Sequence, residues 1–469
     1  MPITRLSATD GIWLSLESPD MPMHIAFLLE FTMPEGSAAH FVRRWRARLA
    51  APVSVPRPWN LVPIRGPLTR LSLMRETEEI DPAEHIRSWR LSRPGDRKEL
   101  IDLATRIHGE QLDFRRPPWE IHLIEGLAED RFAVIVKVHH SLFDGVSLMR
   151  LFTETFTENA EDRGVADLFT VGRSDGTERS SGVQKGSIQA LVVALRGLFH
   201  LLGGIGRAGR DALRRLRGDE TLAQKAYQQP PSILNGPITG ARELSLRRYD
   251  LALLKRLAKA GDCTINDLVL YLVSTALRTY LTEHAELPER SLTAGVPIDL
   301  REGNDDRVGT RAGMMFTSLG TDIADPLERL TAVKEYIDAA KRQMTTMPAN
   351  TVIGYGLAVT LPWILGLTLG FGNTPSSHPM GISNVPGPQK PLYWNGARLE
   401  ALYPISLLMH GNPFNVTCLG YTDAIHFGVL GASDKLPPIR YVTDAMDAAL
   451  DELTDLLLSE REQTMRSAG

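Results

Sequence analysis

The stretch Phe132-Ala133-Val134-Ile135-Val136-Lys137-Val138, followed at once by His139-His140-Ser141-Leu142-Phe143-Asp144-Gly145, decides how the rest of the chain is read. An apolar run rich in β-branched residues predicts a half-buried or buried strand. Ser147-Leu148-Met149-Arg150-Leu151-Phe152 predicts the first turns of a helix. Two histidines therefore stand where a strand gives way to a loop, and loops on a rigid scaffold are where reactive side chains usually lie. Imidazole, with an ordinary pKa of about 6.5, suits proton transfer near neutrality. Asp144 can fix the loop through an arginine or a backbone amide. Gly145 permits a positive φ or a close approach by substrate. A bare pair of histidines would read as an ordinary strand end, but the full HHxxxDG pattern at a strand end reads as a reactive loop.

Size and composition bound the rest. A chain of 469 residues predicts two or three domains with large cores. Charged residues make up 23% and hydrophobic ones 43%, as in ordinary globular proteins. A net charge of −4 gives no general case for nucleic acid binding. Cys263 and Cys418 form no CxxC pattern, so neither a disulfide framework nor a cysteine zinc site is expected, and a reducing compartment fits. The twelve histidines are scattered without HExxH spacing, so no metal is expected. Met1-Pro2-Ile3-Thr4-Arg5 does not read as a signal peptide.

Working outward, residues 24–31 read as a buried strand, and His24 as a histidine beside its start. Residues 38–49 and 96–111 read as amphipathic helices, the second carrying His108 beside its apolar stripe. Residues 119–124 and 131–138 predict antiparallel neighbours that deliver both histidines to one sheet edge. Trp119 reads either as core or as an active-site wall. Residues 158–186 read as a mobile connection. An apolar helix over 188–202, followed by Arg207, Arg210, Arg214, Arg215 and Arg217, fits a membrane-surface contact or an interdomain helix. From residue 236 a second unit begins, with a helix capped by Asp250 and another opened by Thr264 and Asp267 in a capping-box spacing. Strands are expected over 292–298 and 312–319, and a hairpin over 414–430. No Asp, Glu, Lys or Arg occurs between Gln343 and Gln389. Its apolar centre, 352–371, is broken by Gly354, Gly356, Pro362, Gly366 and Gly370, and reads as a buried or membrane-dipping helix rather than a span.

HHxxxDG is the signature of the CoA-dependent acyltransferase superfamily. Within it the chain resembles the bacterial wax ester synthases/diacylglycerol acyltransferases. The stretches that carry this likeness are Leu6-Ser7-Ala8-Thr9-Asp10, Pro22-Met23-His24, 117–126, Asn266-Asp267-Leu268-Val269, 296–301, Ser383-Asn384-Val385-Pro386-Gly387-Pro388 and Pro391-Leu392-Tyr393-Trp394-Asn395-Gly396-Ala397. The last two are the most specific. The resemblance implies an α+β fold of two chloramphenicol-acetyltransferase-like αβ subdomains joined by a helical linker, with the active site at their interface. The expected divisions are 1–180, a basic helical linker over 181–235, and 236–469. The implied activity moves a long-chain acyl group from acyl-CoA to a long-chain alcohol or a diacylglycerol. Acyl-CoA is then a substrate, and no cofactor is implied. The implied location is cytoplasmic, peripheral to the inner membrane or lipid inclusions.

The resemblance also assigns roles. His140 would be the general base, with His139 and Asp144 structural. Ser383 is the oxyanion candidate, with a backbone amide near Gly145 as the alternative; Asn384 and Asn266 are candidates for substrate positioning. Trp119, His410 and Asn415 are candidates for the substrate channel. The chain departs from the family at Pro118, Asp299, Asp306 and His410; the last three, in the C-terminal half, bear on acceptor preference. His410 could act as a second titrating group. A condensation-type acyltransferase with other acceptors, and a non-catalytic lipid-surface protein, are the competing readings.

Overall fold

The computed structural model describes residues 2–36, 40–50, 55–64, 72–78, 80–162, 168–169, 226–299, 312–345 and 349–459. The first half runs β1 (Ile3–Arg5), α1 (Ala8–Leu16), β2 (His24–Thr32), α2 (Phe41–Leu49), β3 (Leu61–Pro63), β4 (Leu73–Glu76), β5 (Ile86–Gly95), α3 (Arg97–Gly109), β6 (Trp119–Leu127), β7 (Arg131–His139) and α4 (Gly145–Thr155). The second runs β8 (Glu243–Asp250), α5 (Leu251–Ala260), α6 (Ile265–His284), β9 (Thr293–Asp299), β10 (Ala312–Ser318), α7 (Pro326–Thr345) and α8 (Ala349–Thr368). It continues with β11 (Met380–Val385), β12 (Tyr393–Trp394), β13 (Ala397–Ile405), β14 (Phe414–Tyr421), β15 (Ala424–Gly431) and α9 (Arg440–Thr454).

Local chemistry fixes the helix starts. Asp96, Asp144 and Asp250 each accept from the backbone N–H three residues on. Thr264 and Asp267 close a reciprocal capping box on α6. Each such cap is worth about 1 kcal/mol.

Among the described residues two six-stranded sheets carry the fold, in the orders β12-β13-β2-β7-β6-β5 and β10-β9-β11-β14-β15-β8. A small sheet, β1-β4-β3, lies apart. Strand β7 is buried on both faces, which is why it reads as a nearly continuous apolar run. Phe132, Val134, Val136 and Val138 enter one core with Trp45 of α2 and Phe152 of α4. Ala133 and Ile135 enter another with α3 and with Leu244, Leu246 and Leu430 of the second half. On that second face Lys137 is buried, and its Nζ donates to the carbonyl oxygens of Ile107 (2.8 Å) and Glu110 around the C-terminus of α3. A cation there meets the negative end of the helix dipole.

The architecture is α+β in two halves, but the halves are not two separate lengths of chain. The hairpin β12–β13 comes from the C-terminal half and completes the N-terminal sheet, with β13 antiparallel to β2. The expected 236–469 unit therefore sends residues 393–405 across. Where the sheets meet, Gly428 of β15 lies against Pro404 of β13: a Cβ on Gly428 would fall 1.8 Å from the Pro404 carbonyl oxygen. The expected helix over 188–202, the arginines after it, and Asp306 lie outside the described residues. No described helix is long and apolar enough to cross a membrane.

Candidate active site

The histidine loop is held from below by β2. His24 and His139 are direct partners in the antiparallel register, and the His140 N–H donates to the Met23 carbonyl at 2.9 Å. His139 points inward and is fully buried. Its Nδ1 accepts from the Ser141 N–H (3.2 Å) and lies 2.6 Å from Ser141 Oγ. A nitrogen that accepts a backbone N–H carries no proton, so the ring proton is on Nε2, which lies 3.5 Å from the buried carboxylate of Glu17 without a hydrogen bond to it. Glu17 also accepts from the Met23 N–H (2.5 Å) and from Gln111 Nε2 (2.7 Å). One carboxylate thus ties His139 to the segment that holds His140.

The His140 ring lies under Trp13 of α1, with centroids 4.3 Å apart and planes tilted by 31°. Its Nδ1 is shut off from solvent. Burial pushes the imidazole down to about 4, against the Asp144 charge and its own backbone carbonyl, which both favour the protonated form. Asp144 caps α4, accepting from the Ser147 N–H at 2.7 Å. Gly145 is the first residue of that helix and does not take a positive φ, so the left-handed backbone considered for it is not used.

The second half presents β11 and β14 to this loop. Met380 and Ile382, with Phe414, Val416 and Cys418, enter the C-terminal core. The alternation of strands turns Gly381, Ser383 and Val385, with Asn415, Thr417 and Leu419, to the opposite face. Val385 and Leu419 join the core shared with Trp119 and Val138. A Cβ built on Gly145 would sit 4.0 Å from Val385 Cγ2, so the end of β11 reaches the start of α4. Ser383 pairs with Thr417 across the parallel register, and Thr417 Oγ1 donates to Asn415 Oδ1 at 2.9 Å. A Cβ on Gly381 would fall 2.8 Å from Asn415 Nδ2, so the missing side chain leaves room for that amide.

Comparison with known proteins gives this juxtaposition a family. Residues 6–269 match the wax ester synthase/diacylglycerol acyltransferase catalytic domain, and residues 308–454 the C-terminal domain of the same family. The chain belongs to the wax ester synthase/diacylglycerol acyltransferase family. The O-acyltransferase WSD of Acinetobacter baylyi is 31% identical, covering 93% of this chain and 93% of that one. A wax ester synthase/diacylglycerol acyltransferase from Marinobacter aquaeolei VT8 superposes with a TM-score of 0.76 at 32% identity, covering 96% of this chain and 98% of that one. The first condensation domain of the calcium-dependent antibiotic synthetase shares the fold alone, with a TM-score of 0.58 at 17% identity, over 97% of this chain and 96% of that one.

In this family member the remaining candidates separate. Trp119 is core, not channel wall: it is fully buried, stacks on His85, and donates from Nε1 to the Trp59 carbonyl at 2.9 Å. His410 is a tie between segments. Its Nδ1 accepts from the Ile238 N–H (3.1 Å) and its carbonyl accepts from Trp363 Nε1 (3.0 Å). Burial holds its imidazole below the ordinary range. Asn384 alternates away from Ser383 and is exposed. Asn266 is part-buried in the first turn of α6, and nothing described joins it to the histidine loop. His24 and His108 are structural, meeting ring edge to ring, with His24 Nε2 2.6 Å from the His108 carbonyl. Trp13, Glu17 and Thr417 complete the site without a local sequence signal; only the register of β2 against β7 could have pointed to the Glu17–Met23 segment.

Proposed function

We propose that the chain transfers a long-chain acyl group from acyl-CoA to the hydroxyl of a long-chain alcohol or diacylglycerol, by direct attack and without an acyl-enzyme. The observation that carries this reading is a half-buried His140 held neutral on one half, in a loop that the Ser383-bearing strand of the other half reaches at Val385. Nδ1 of His140 is shut off from solvent, so Nε2 is the nitrogen we assign to face the reactants. An alcohol is too weak an acid to ionise alone and needs a base as its oxygen attacks. His140 Nε2 takes that proton while the new C–O bond forms at the thioester carbonyl. The Ser383 hydroxyl is the donor assigned to the developing oxyanion. When the C–S bond breaks, the CoA thiolate leaves. Its thiol pKa is about 8.5. An imidazolium whose pKa is far lower returns the proton to it downhill. Holding both substrates between the halves supplies much of the rate. Acyl-CoA is consumed as a substrate, and the reaction calls on no other cofactor. Acceptors of this kind reside in lipid, so the protein works peripherally at an inner membrane or lipid inclusion.

The test is CoA release from palmitoyl-CoA, followed with a thiol reagent, with hexadecanol, a diacylglycerol or no acceptor. Acceptor-dependent release by the wild type, lost by roughly a hundredfold or more in His140→Ala, is expected. The better acceptor names the physiological product. Equal release by both proteins, or none with any acceptor, would sink the mechanism.

A further inference from the structure

Most of the described large hydrophobic side chains that stand in solvent lie in one place. Leu361 (46% exposed), Leu365 (50%), Leu369 (64%) and Phe371 (64%) follow one another along α8 and the turn that ends it. The first three are four residues apart, so they form one line on the helix. The other side of α8 is buried: Trp363 and Leu367 enter the core that contains Met21, Met23 and Met409. The helix is therefore sided, and it lies along the protein rather than through a bilayer.

The polar chemistry of this edge separates a lipid occupant from a protein one. No ionisable Asp, Glu, Lys or Arg occurs from Gln343 to Gln389, so the edge offers a protein partner no ion pair and asks a lipid to desolvate no charge. Its hydroxyls are turned back on the backbone. Thr360 donates to Gly356, Thr368 to Leu365 and Thr374 to Phe371. The helix end closes on itself in the same way. Gly370 takes φ +84°, its N–H donates to the Leu367 carbonyl, and the Phe371 N–H donates to the Gly366 carbonyl. That closure satisfies carbonyls which a helix end otherwise leaves to water. Hydrocarbon offers polar groups no partner and so demands this internal satisfaction, whereas a protein partner could supply the bonds itself.

We propose that the Leu361–Leu365–Leu369–Phe371 edge of α8 is the face on which the protein rests on an uncharged lipid surface, with these side chains among the acyl chains. This rests on the acyl-transfer reading above and names the surface through which that reaction meets its acceptor. The inner side of the same helix leads to the site: Trp363 bonds the His410 carbonyl, and α8 packs against α1, which carries Trp13 over His140. A lipid-borne acceptor then has α8 and α1, not the width of the protein, between its reservoir and the histidine loop.

The experiment is flotation with phosphatidylcholine vesicles at low and high salt, comparing wild type, a Leu365→Glu/Phe371→Glu double variant and a Leu327→Glu control. Leu327 is exposed elsewhere, on α7, so it carries the same kind of substitution, with one charge in place of two, off the edge. Sedimentation velocity and CoA release with a short-chain acyl-CoA and a short, soluble alcohol accompany it. Wild type and control are expected to float regardless of salt, and the double variant to partition roughly tenfold less or lower while keeping soluble-substrate release. A double variant that floats like wild type overturns the proposal, as does a wild type that does not float. So does a double variant that changes only from dimer to monomer, which would make the edge a self-contact. Failure of soluble-substrate release in the wild type would instead strike the acyl-transfer reading and leave flotation to be judged on its own.

Discussion

Glu17 is the residue whose removal best separates positioning from chemistry. It bonds the Met23 amide and faces His139, while the Met23 carbonyl holds the His140 amide. Glu17→Gln keeps the volume but loses the charge opposite His139 Nε2–H. Turnover is expected to fall roughly ten- to a hundredfold, with the KM for acyl-CoA within about twofold and the melting temperature close to wild type. Unchanged turnover would show that the loop holds His140 without it. At this scale the histidine loop was legible because its signal is contiguous: strand, two histidines, and a cap three residues before its amide. Trp13 and Glu17 were not legible. Each reaches the loop from more than a hundred residues away, and no local periodicity encodes such a contact.

Among elements, the strands and caps followed their local chemistry closely. Two short apolar runs close in sequence marked β14 and β15 as a hairpin, and Thr264 with Asp267 marked the start of α6. Strand partnership is another matter. Neighbours in sequence usually pair, and the expected 236–469 unit kept residues 393–405 with their own half. The structure instead lays β13 along β2, because the apolar edge of β2 needs a partner and Leu399, Leu402, Tyr403 and Ile405 bury well there. The contact between sheets is close enough to test. Gly428→Ala places a methyl group where the Pro404 carbonyl stands, and neither backbone can yield without moving its sheet. A loss of at least about 1–3 kcal/mol in urea unfolding is expected. An unchanged midpoint would mean that the sheets are free to part there.

For the whole molecule, buried histidines set the response to acid. Burial depresses His24 and His108 well below the ordinary value, and takes His378 and His426 down to about 4. Unfolded, each would titrate near 6.5. Between these values the unfolded chain binds protons that the folded protein refuses, so stability is full above about pH 6.5 and falls as the pH drops towards 4. By about pH 5, His378 and His426 alone account for about 2 kcal/mol each. Urea unfolding at pH 7.5 and about pH 5 should show the lower midpoint in acid; equal midpoints would mean that the protonated rings find acceptors in the folded protein. The α+β architecture and the position of the histidine loop at the end of a strand were legible in the motifs. How the halves interlock was not, since it depends on which surfaces meet after each has folded.

That interlock has a consequence in time. A ribosome finishes β2 and β7 early, yet β13, the other neighbour of β2, is made only when residues 397–405 emerge. Until then the strand that holds His140 in place keeps a bare row of amides and carbonyls, the kind of edge that recruits stray strands. The nascent chain carries its reactive loop for most of its synthesis without the sheet that steadies it. A message cut short before that point would therefore yield an aggregation-prone fragment rather than a smaller enzyme, and only late in translation, once residue 405 is made, is the sheet behind the histidine loop complete.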